Sequence, residues 1–191
     1  HFYFSEYFPV SAAALGADVV IQSVHKTLPA MTQTALLHLC SSRVSRETIG
    51  RFMGIYQSSS PSYVLMASID ACVDRLCREG DKMFAVFTDA LENARTRLEK
   101  CRYIRLITPE IVKAMGGFAY DRSKLVFSTA GSSLTGHEFA ELLRRKYHLE
   151  LEMEAEAYAL ALTSVGDTVQ GFDRLCEAVE EIDRQESLKN T

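Results

Sequence analysis

The chain has 191 residues, of which 47% are hydrophobic and 24% are charged, as is ordinary for a globular protein that buries a core. The length suits one domain, or one and a half domains of a larger enzyme. A formal net charge of −4 gives no electrostatic basis for binding nucleic acid, and no Lys/Arg cluster indicates a membrane-binding patch. The apolar runs are too short to predict a membrane-spanning helix.

Two strands are predicted in the first part of the chain. Residues 16–26 have the pattern of a buried strand that ends in a loop, and residues 33–40 that of a second strand. Only a short turn containing Pro29 separates them, so we expect antiparallel neighbours with a hairpin-like connection.

Three helices are predicted next. Ser45 is a suitable N-cap for a helix over residues 46–57. A second helix is expected from Pro61 or Ser62 to Gly80, and a third directly after it. The apolar stripes of the last two helices are Leu65, Ile69, Cys72 and Leu76, followed by Phe84, Phe87, Leu91, Ala94 and Leu98.

After Cys101 the predicted strands and helices alternate. Strands are expected at YIRLI, at KLVFST and over the long region LELEMEAEAYALALTS. Thr108 precedes a short predicted helix, Thr135 and Glu138 have the spacing of a capping box, and a terminal helix contains Phe172. This order predicts a small α/β sandwich with its helices on one face.

The cysteines and histidines are not spaced as a metal or redox site. Cys72 and Cys77 lack the C-x-x-C spacing, and the odd number of five cysteines favours reduced thiols in a core. We therefore expect a cytoplasmic protein without a metal site. His38, His137 and His148 are predicted to have structural or surface roles.

Lys26 directly follows the first predicted strand, and two explanations compete for it. A solvated strand end would pack the aliphatic stem and leave the amine in water. A nucleophilic amine would instead form a Schiff base with a carbonyl, as in enzymes that depend on pyridoxal 5'-phosphate (PLP) and hold its phosphate with hydroxyl and imidazole groups. Ser23, His25 and Thr27 place such groups around Lys26, which favours the second explanation.

The segment GADVVIQSVHKTLPAMTQTALLHL resembles the Schiff-base segment of the ornithine/lysine/arginine decarboxylase family, which has fold type I (aminotransferase-like). The shared pattern is Gly-Ala-Asp, a strand, Ser-x-His-Lys-Thr-Leu and then Thr-Gln. SSSPSYVLMASIDA resembles the next block of that family, Thr/Ser-Ser-Pro-Ser-Tyr followed by a helix. The resemblance is dense over most of residues 1–80 and looser over the remainder.

The resemblance implies an α/β fold in three parts. Residues 1–80 would form the C-terminal part of the PLP-binding large domain, and residues 81–101 a connecting helix. Residues 102–191 would form the small C-terminal α/β sandwich domain.

The resemblance also implies a role for each site residue. Lys26 would be the Schiff-base lysine, and Ser23 and His25 would bind the cofactor phosphate. Ser59 and Ser60 would reach the cofactor phosphate of a neighbouring subunit in a homodimer with shared active sites. Because Ser58 precedes them, the sequence leaves open which hydroxyl has that role.

The start of the chain predicts a piece of a longer protein. HFYFSEYFP is rich in aromatic residues, whereas a natural start is usually polar and frayed. The stretch fits the tail of the family segment Asp-Glu-Ala-His-Gly-Ala-His. By the resemblance, the aspartate that pairs with the pyridine nitrogen would lie about six residues before His1, so we expect very slow decarboxylation by this chain alone.

The activity implied by the resemblance is PLP-dependent decarboxylation of lysine, arginine or ornithine. Two alternatives are another fold type I activity, such as an aminotransferase or a lyase, and an inert piece with a role in folding or association. In LELEMEAEAY the carboxylates alternate with apolar residues, which favours a half-exposed strand. The resemblance implies that Glu150, Glu152 or Glu154 could sense the distal amine of the substrate.

Overall fold

The computed structural model describes residues 6–189, which fold into a mixed α/β structure. The chain divides into two compact units, His1–Phe84 and Ala85–Thr191. The elements of the first unit are β1 (Val19–Ser23), α1 (Val24–Thr27), β2 (Ala35–Leu39), α2 (Arg46–Tyr56) and the first part of α3 (Tyr63–Leu98). The second unit contains the rest of α3, β3 (Arg105–Leu106), α4 (Pro109–Ala114), β4 (Lys124–Ser128), α5 (Gly136–Tyr147), β5 (Met153–Ala155), β6 (Tyr158–Leu162) and α6 (Val169–Lys189).

The first unit contains a two-stranded antiparallel sheet, so the predicted pairing is confirmed. The register places Val19 opposite Leu39 and Ser23 opposite Ala35. The connection differs from the prediction, because the strand ends at Ser23 and residues 24–27 form one helical turn. The turn buries Val24 and Thr27 and is closed by the Leu28 amide, which donates to the Val24 carbonyl at 3.0 Å.

The core of the first unit is small. Among its described residues, the buried apolar side chains are Phe8, Val24, Cys72, Leu76 and Phe84. The rings of Phe8 and Phe84 meet edge to face, with centroids 6.2 Å apart. The α2 helix, which Ser45 caps as predicted, buries none of its own residues.

The predicted helix break at Gly80 is wrong, because α3 runs without interruption from Tyr63 to Leu98. The apolar stripe explains the continuity. Leu76, Gly80 and Phe84 are each four residues apart and all buried, so Gly80 lies in phase with the stripe on both sides. A glycine inside a helix costs only about 1 kcal/mol relative to alanine, less than the loss of a continuous buried face.

The second unit is built on a four-stranded antiparallel sheet in the order β3-β4-β6-β5. Burial alternates along β4 and β6, which leaves the other face of the sheet only partly covered. Helix α5 packs on the buried face, where the rings of Phe127 and Phe139 lie 5.7 Å apart between centroids. The predicted α/β layer arrangement is therefore present in this unit.

The long strand predicted over residues 149–164 is wrong, because β5 and β6 form a hairpin across the turn at Glu156-Ala157. The alternating pattern continues through the turn, which has no glycine or proline to mark it. The turn also contacts the start of α5, where Gly136 donates its amide to the Glu156 carbonyl at 2.8 Å. A Cβ on Gly136 would lie 2.1 Å from the Ala155 carbonyl oxygen, so only glycine fits there.

The predicted helix starts of the second unit are confirmed. The Thr108 hydroxyl accepts from the Ile111 amide at the start of α4. Thr135 and Glu138 form the reciprocal bonds of a capping box at the start of α5. Among residues 6–189, no helix is both long and apolar enough to cross a membrane.

Candidate active site at the end of strand β1

Lys26 lies on the helical turn α1, directly after strand β1. The side chains of the turn differ in burial. Val24 and Thr27 are buried, whereas His25 is half-buried and Lys26 is exposed. The two buried side chains anchor the turn to the core of the first unit. The structure therefore presents the Lys26 amine on an anchored turn and not on a loose loop.

The imidazole of His25 is held by the main chain of the facing strand connection. His25 Nδ1 lies 2.8 Å from the Thr34 carbonyl oxygen, which also accepts the Val24 amide at 3.0 Å. A carbonyl oxygen can only accept, so the proton of this bond is on Nδ1. The ring orientation and the tautomer of His25 are thus set by Thr34.

The connection that carries Thr34, residues 28–34, is itself fixed by hydrogen bonds. Thr34 donates to the Met31 carbonyl twice, from its hydroxyl at 2.8 Å and from its amide at 3.2 Å. The Met31 amide donates to the Ser68 hydroxyl on α3 at 2.8 Å. Gln33 adopts a left-handed conformation with φ 78°, which turns the chain towards β2.

Ser23 occupies the N-cap position of α1, yet its hydroxyl makes no capping bond to that turn. A serine at this position normally accepts an amide hydrogen bond from the first turn of the helix. The Ser23 side chain is exposed. It therefore places a hydroxyl, uncommitted to the cap, two residues before His25.

Ser59 and Ser60 lie on a different segment, the exposed connection between α2 and α3. Within this connection the Ser58 hydroxyl donates to the Ser60 carbonyl at 3.0 Å. The Ser62 hydroxyl accepts from the Leu65 amide and so caps α3. The structure therefore brings Ser23, His25 and Lys26 together on one turn and carries Ser59 and Ser60 on another segment.

The three glutamates of the LELEMEAEAY stretch lie in the second unit. Glu150 is exposed and binds Arg144, with oxygens 2.9 and 3.1 Å from the guanidinium Nε. Glu152 is exposed, whereas Glu154 is half-buried on β5. Glu154 also lines an open groove of about 680 Å³ along α5, next to His137 and Leu142.

Two residues that position the site were not predicted from the sequence, namely Thr34 and Ser68. Thr34 is nine positions from His25, and Ser68 is 37 positions from Met31. Both bonds involve a main-chain group, which carries no residue-specific signal. A serine in an otherwise apolar helix face was the only available indication.

The chemistry of the turn fits PLP. The amine of Lys26, the uncommitted hydroxyl of Ser23 and the oriented imidazole of His25 lie within four consecutive positions. An amine can condense with an aldehyde, while hydroxyl and imidazole N–H groups donate to phosphate oxygens. Among residues 6–189 no cluster of three or more metal-ligand side chains is present.

The fold is that of the aminotransferase-like class. A lysine decarboxylase from Francisella novicida superposes with a TM-score of 0.71 at 17% identity, over 90% of this chain and 28% of that one. An alanine–glyoxylate aminotransferase from Nostoc superposes with a TM-score of 0.65 at 14% identity, over 91% of this chain and 50% of that one.

The chain belongs to the Orn/Lys/Arg decarboxylase family, whose major domain matches residues 1–165. An arginine decarboxylase of Bacillus subtilis is 32% identical over 187 residues, which are 98% of this chain and 38% of that protein. The chain thus spans just under two-fifths of the length of this relative.

Proposed function

We propose that this chain provides the covalent cofactor site of a PLP-dependent decarboxylase acting on a basic amino acid, namely lysine, arginine or ornithine. One observation carries the proposal: an exposed lysine, an oriented imidazole and an uncommitted serine hydroxyl share one anchored turn. Membership of a decarboxylase family supports the reaction class.

Each residue of the turn has a distinct task in this proposal. Lys26 would hold the cofactor covalently, through its amine and the cofactor aldehyde. The Ser23 hydroxyl and His25 Nε2 would bind the cofactor phosphate. When bound, PLP supplies an electron sink for the electron pair left behind by carbon dioxide. Lys26 would also be the amine that gives way to the substrate amine and returns when the product leaves.

We further propose a homodimer in which Ser59 and Ser60 reach the cofactor phosphate of the partner subunit. Their exposure on a connection separate from the Lys26 turn supports this role. Glu154 is the best placed of the three glutamates to sense the distal amine of the substrate, since it is half-buried and lines a groove. Glu150 is already paired with Arg144.

We also propose the domain organisation expected from the sequence. Residues 1–80 would end the cofactor-binding domain, residues 81–101 would connect, and residues 102–191 would form the small domain. The change of unit between Phe84 and Ala85 supports a boundary in this part of α3. Five free thiols favour the cytoplasm as the compartment.

Product analysis tests the reaction. The full-length product of the gene would be loaded with PLP and incubated separately with arginine, lysine and ornithine. Carbon dioxide and keto acid would both be measured. We expect carbon dioxide from one of the three, lost in Lys26→Ala and retained in Lys113→Ala. Keto acid without carbon dioxide would indicate transamination instead, and release of neither from any basic amino acid would contradict the proposal.

A further inference from the structure

We propose that Ser68 is a positioning residue of the site. Its hydroxyl holds the connection 28–34 in the conformation in which the Thr34 carbonyl accepts the hydrogen bond from His25 Nδ1. The inference rests on the proposed function, since it assigns His25 to the cofactor phosphate. Ser68 lies on α3, outside the turn, and acts only through other groups.

The first step is the bond between Ser68 and Met31. A serine hydroxyl within a helix commonly bonds to a carbonyl of its own preceding turn. Ser68 instead accepts the Met31 amide at 2.8 Å, across 37 positions of sequence. Ser68 is half-buried, and Met31 is exposed, so little side-chain packing holds Met31 in place. The hydrogen bond to α3 therefore restrains this part of the connection.

The second step runs from Met31 to Thr34. The Met31 carbonyl accepts both the amide and the hydroxyl of Thr34. A restraint on the main chain at Met31 therefore also restrains Thr34, whose side chain is buried. Thr34 then uses its own carbonyl to accept the Val24 amide and His25 Nδ1.

The orientation of the His25 ring depends on this series of hydrogen bonds. With its proton held on Nδ1, His25 has a single ring orientation, and Nε2 is the nitrogen left to face a ligand. Without the restraint, the ring could present either nitrogen and rotate about its side-chain bonds. Ser68 thus determines which atom of His25 reaches the phosphate.

The test is made on the full chain without cofactor, so that it does not depend on activity. Long-range ¹⁵N–¹H NMR correlations at mildly alkaline pH report the tautomer of His25, identified by comparison with His25→Gln. We expect the Nδ1–H form in the wild type and a mixture of both tautomers in Ser68→Ala. Amide exchange at Met31 should accelerate about fivefold in the same variant, as expected for one lost hydrogen bond.

Two further variants separate positioning from general stability. Ser68→Thr keeps the hydroxyl and should restore both signals, while Thr88→Ala removes an α3 hydroxyl that donates to the Ala85 carbonyl and should change neither. Alanine is the better helix former, so α3 itself is preserved in Ser68→Ala. An unchanged tautomer and unchanged exchange in folded Ser68→Ala would overturn the proposal, as would an Nε2–H form in the wild type.

The same samples separate this proposal from the proposed function. Incubation with PLP and borohydride reduction shows whether Lys26 is modified in preference to Lys113. Absence of that preference contradicts the cofactor site, whatever the tautomer of His25. Preferential modification of Lys26 together with an unchanged tautomer in Ser68→Ala contradicts only the role of Ser68.

Discussion

The two units of the chain bury their apolar residues to different extents. The second unit has many apolar side chains with no exposed surface, namely Leu91, Leu98, Ile104, Leu125, Phe127, Phe139, Leu143 and Val179. From residue 6 onwards, the first unit buries five apolar side chains, and it leaves Ile21 on β1 73% exposed. The candidate site lies in the unit with the smaller core.

The first unit also exposes apolar side chains in groups. Phe52 and Tyr56 stack on the surface of α2, with ring centroids 6.3 Å apart. Tyr63, Val64 and Met66 are exposed at the start of α3. Apolar groups of this kind are typical of surfaces that contact another polypeptide. The second unit therefore buries more apolar side chains among the described residues, whereas the first carries the candidate reactive groups.

The largest expected effect on folding is in the core of the second unit. Phe127→Ala should lower the free energy of unfolding by about 3–5 kcal/mol, because it removes a buried ring that packs on Phe139. Denaturant unfolding followed by circular dichroism measures the loss. Val126→Ala is the matched control, since Val126 lies on the less buried face of the same strand. Equal losses in both variants would contradict the assigned core.

A smaller loss in the free energy of unfolding is expected when Glu186, whose side chain is only 1% exposed, is replaced. Its burial raises the pKa, but hydrogen bonds from Lys189 and Ser133 outweigh that effect and leave the pKa below its usual value. Glu186→Gln should cost about 2 kcal/mol at neutral pH, since charged hydrogen bonds are lost. Denaturant unfolding measures it, with Glu177→Gln, on the exposed side of α6, as the control.

The sign of the pH dependence follows from the lowered pKa of Glu186. Its contribution is fully present above the pKa of an unfolded glutamate, about 4.3, and is lost as the pH falls through the lower folded-state pKa. The difference between wild type and Glu186→Gln should therefore shrink in acid. A difference that grows as the pH falls would show that the carboxylate is not stabilised in its charged form.

Thr135→Ala should cost about 1 kcal/mol, because it removes the capping box at the start of α5. Thermal unfolding measures the change, and Thr135→Ser, which keeps the hydroxyl, should recover most of it. A loss of the same size in Thr96→Ala, at an exposed position within α3, would argue that capping is not the cause.

The smallest effect is expected in the first unit. Ile21→Thr should change the free energy of unfolding by less than about 0.5 kcal/mol, because the side chain is 73% exposed and threonine retains the preference for a strand. Denaturant unfolding checks this. A loss as large as that of Phe127→Ala would remove the contrast between the units.

Local signals in the sequence predicted much of the fold. The caps at Ser45, Thr108 and Thr135 were predicted correctly, because a cap depends on residues within one turn. The continuity of α3 is not predicted, because Gly80 is a typical signal for a helix end although the apolar period runs through it. The hairpin after Glu154 was missed because its turn has no characteristic turn residue.

The candidate reactive residues could be predicted from the sequence, whereas the hydrogen bonds that hold them in position could not. Ser23, His25 and Lys26 lie within four positions, so their proximity follows from the chain itself. The hydrogen bonds of Thr34 and Ser68 depend on how strand, connection and helix are arranged in space. No periodicity or local motif encodes such an arrangement.

The most direct test of the cofactor site is to map where PLP attaches. The full chain would be incubated with PLP, reduced with borohydride and digested, and each lysine-containing peptide would be quantified by mass spectrometry. We expect the reduced adduct predominantly on Lys26, its loss in Lys26→Ala and its retention in Lys113→Ala. An adduct spread evenly over the lysines, and unaffected by Lys26→Ala, would contradict the account.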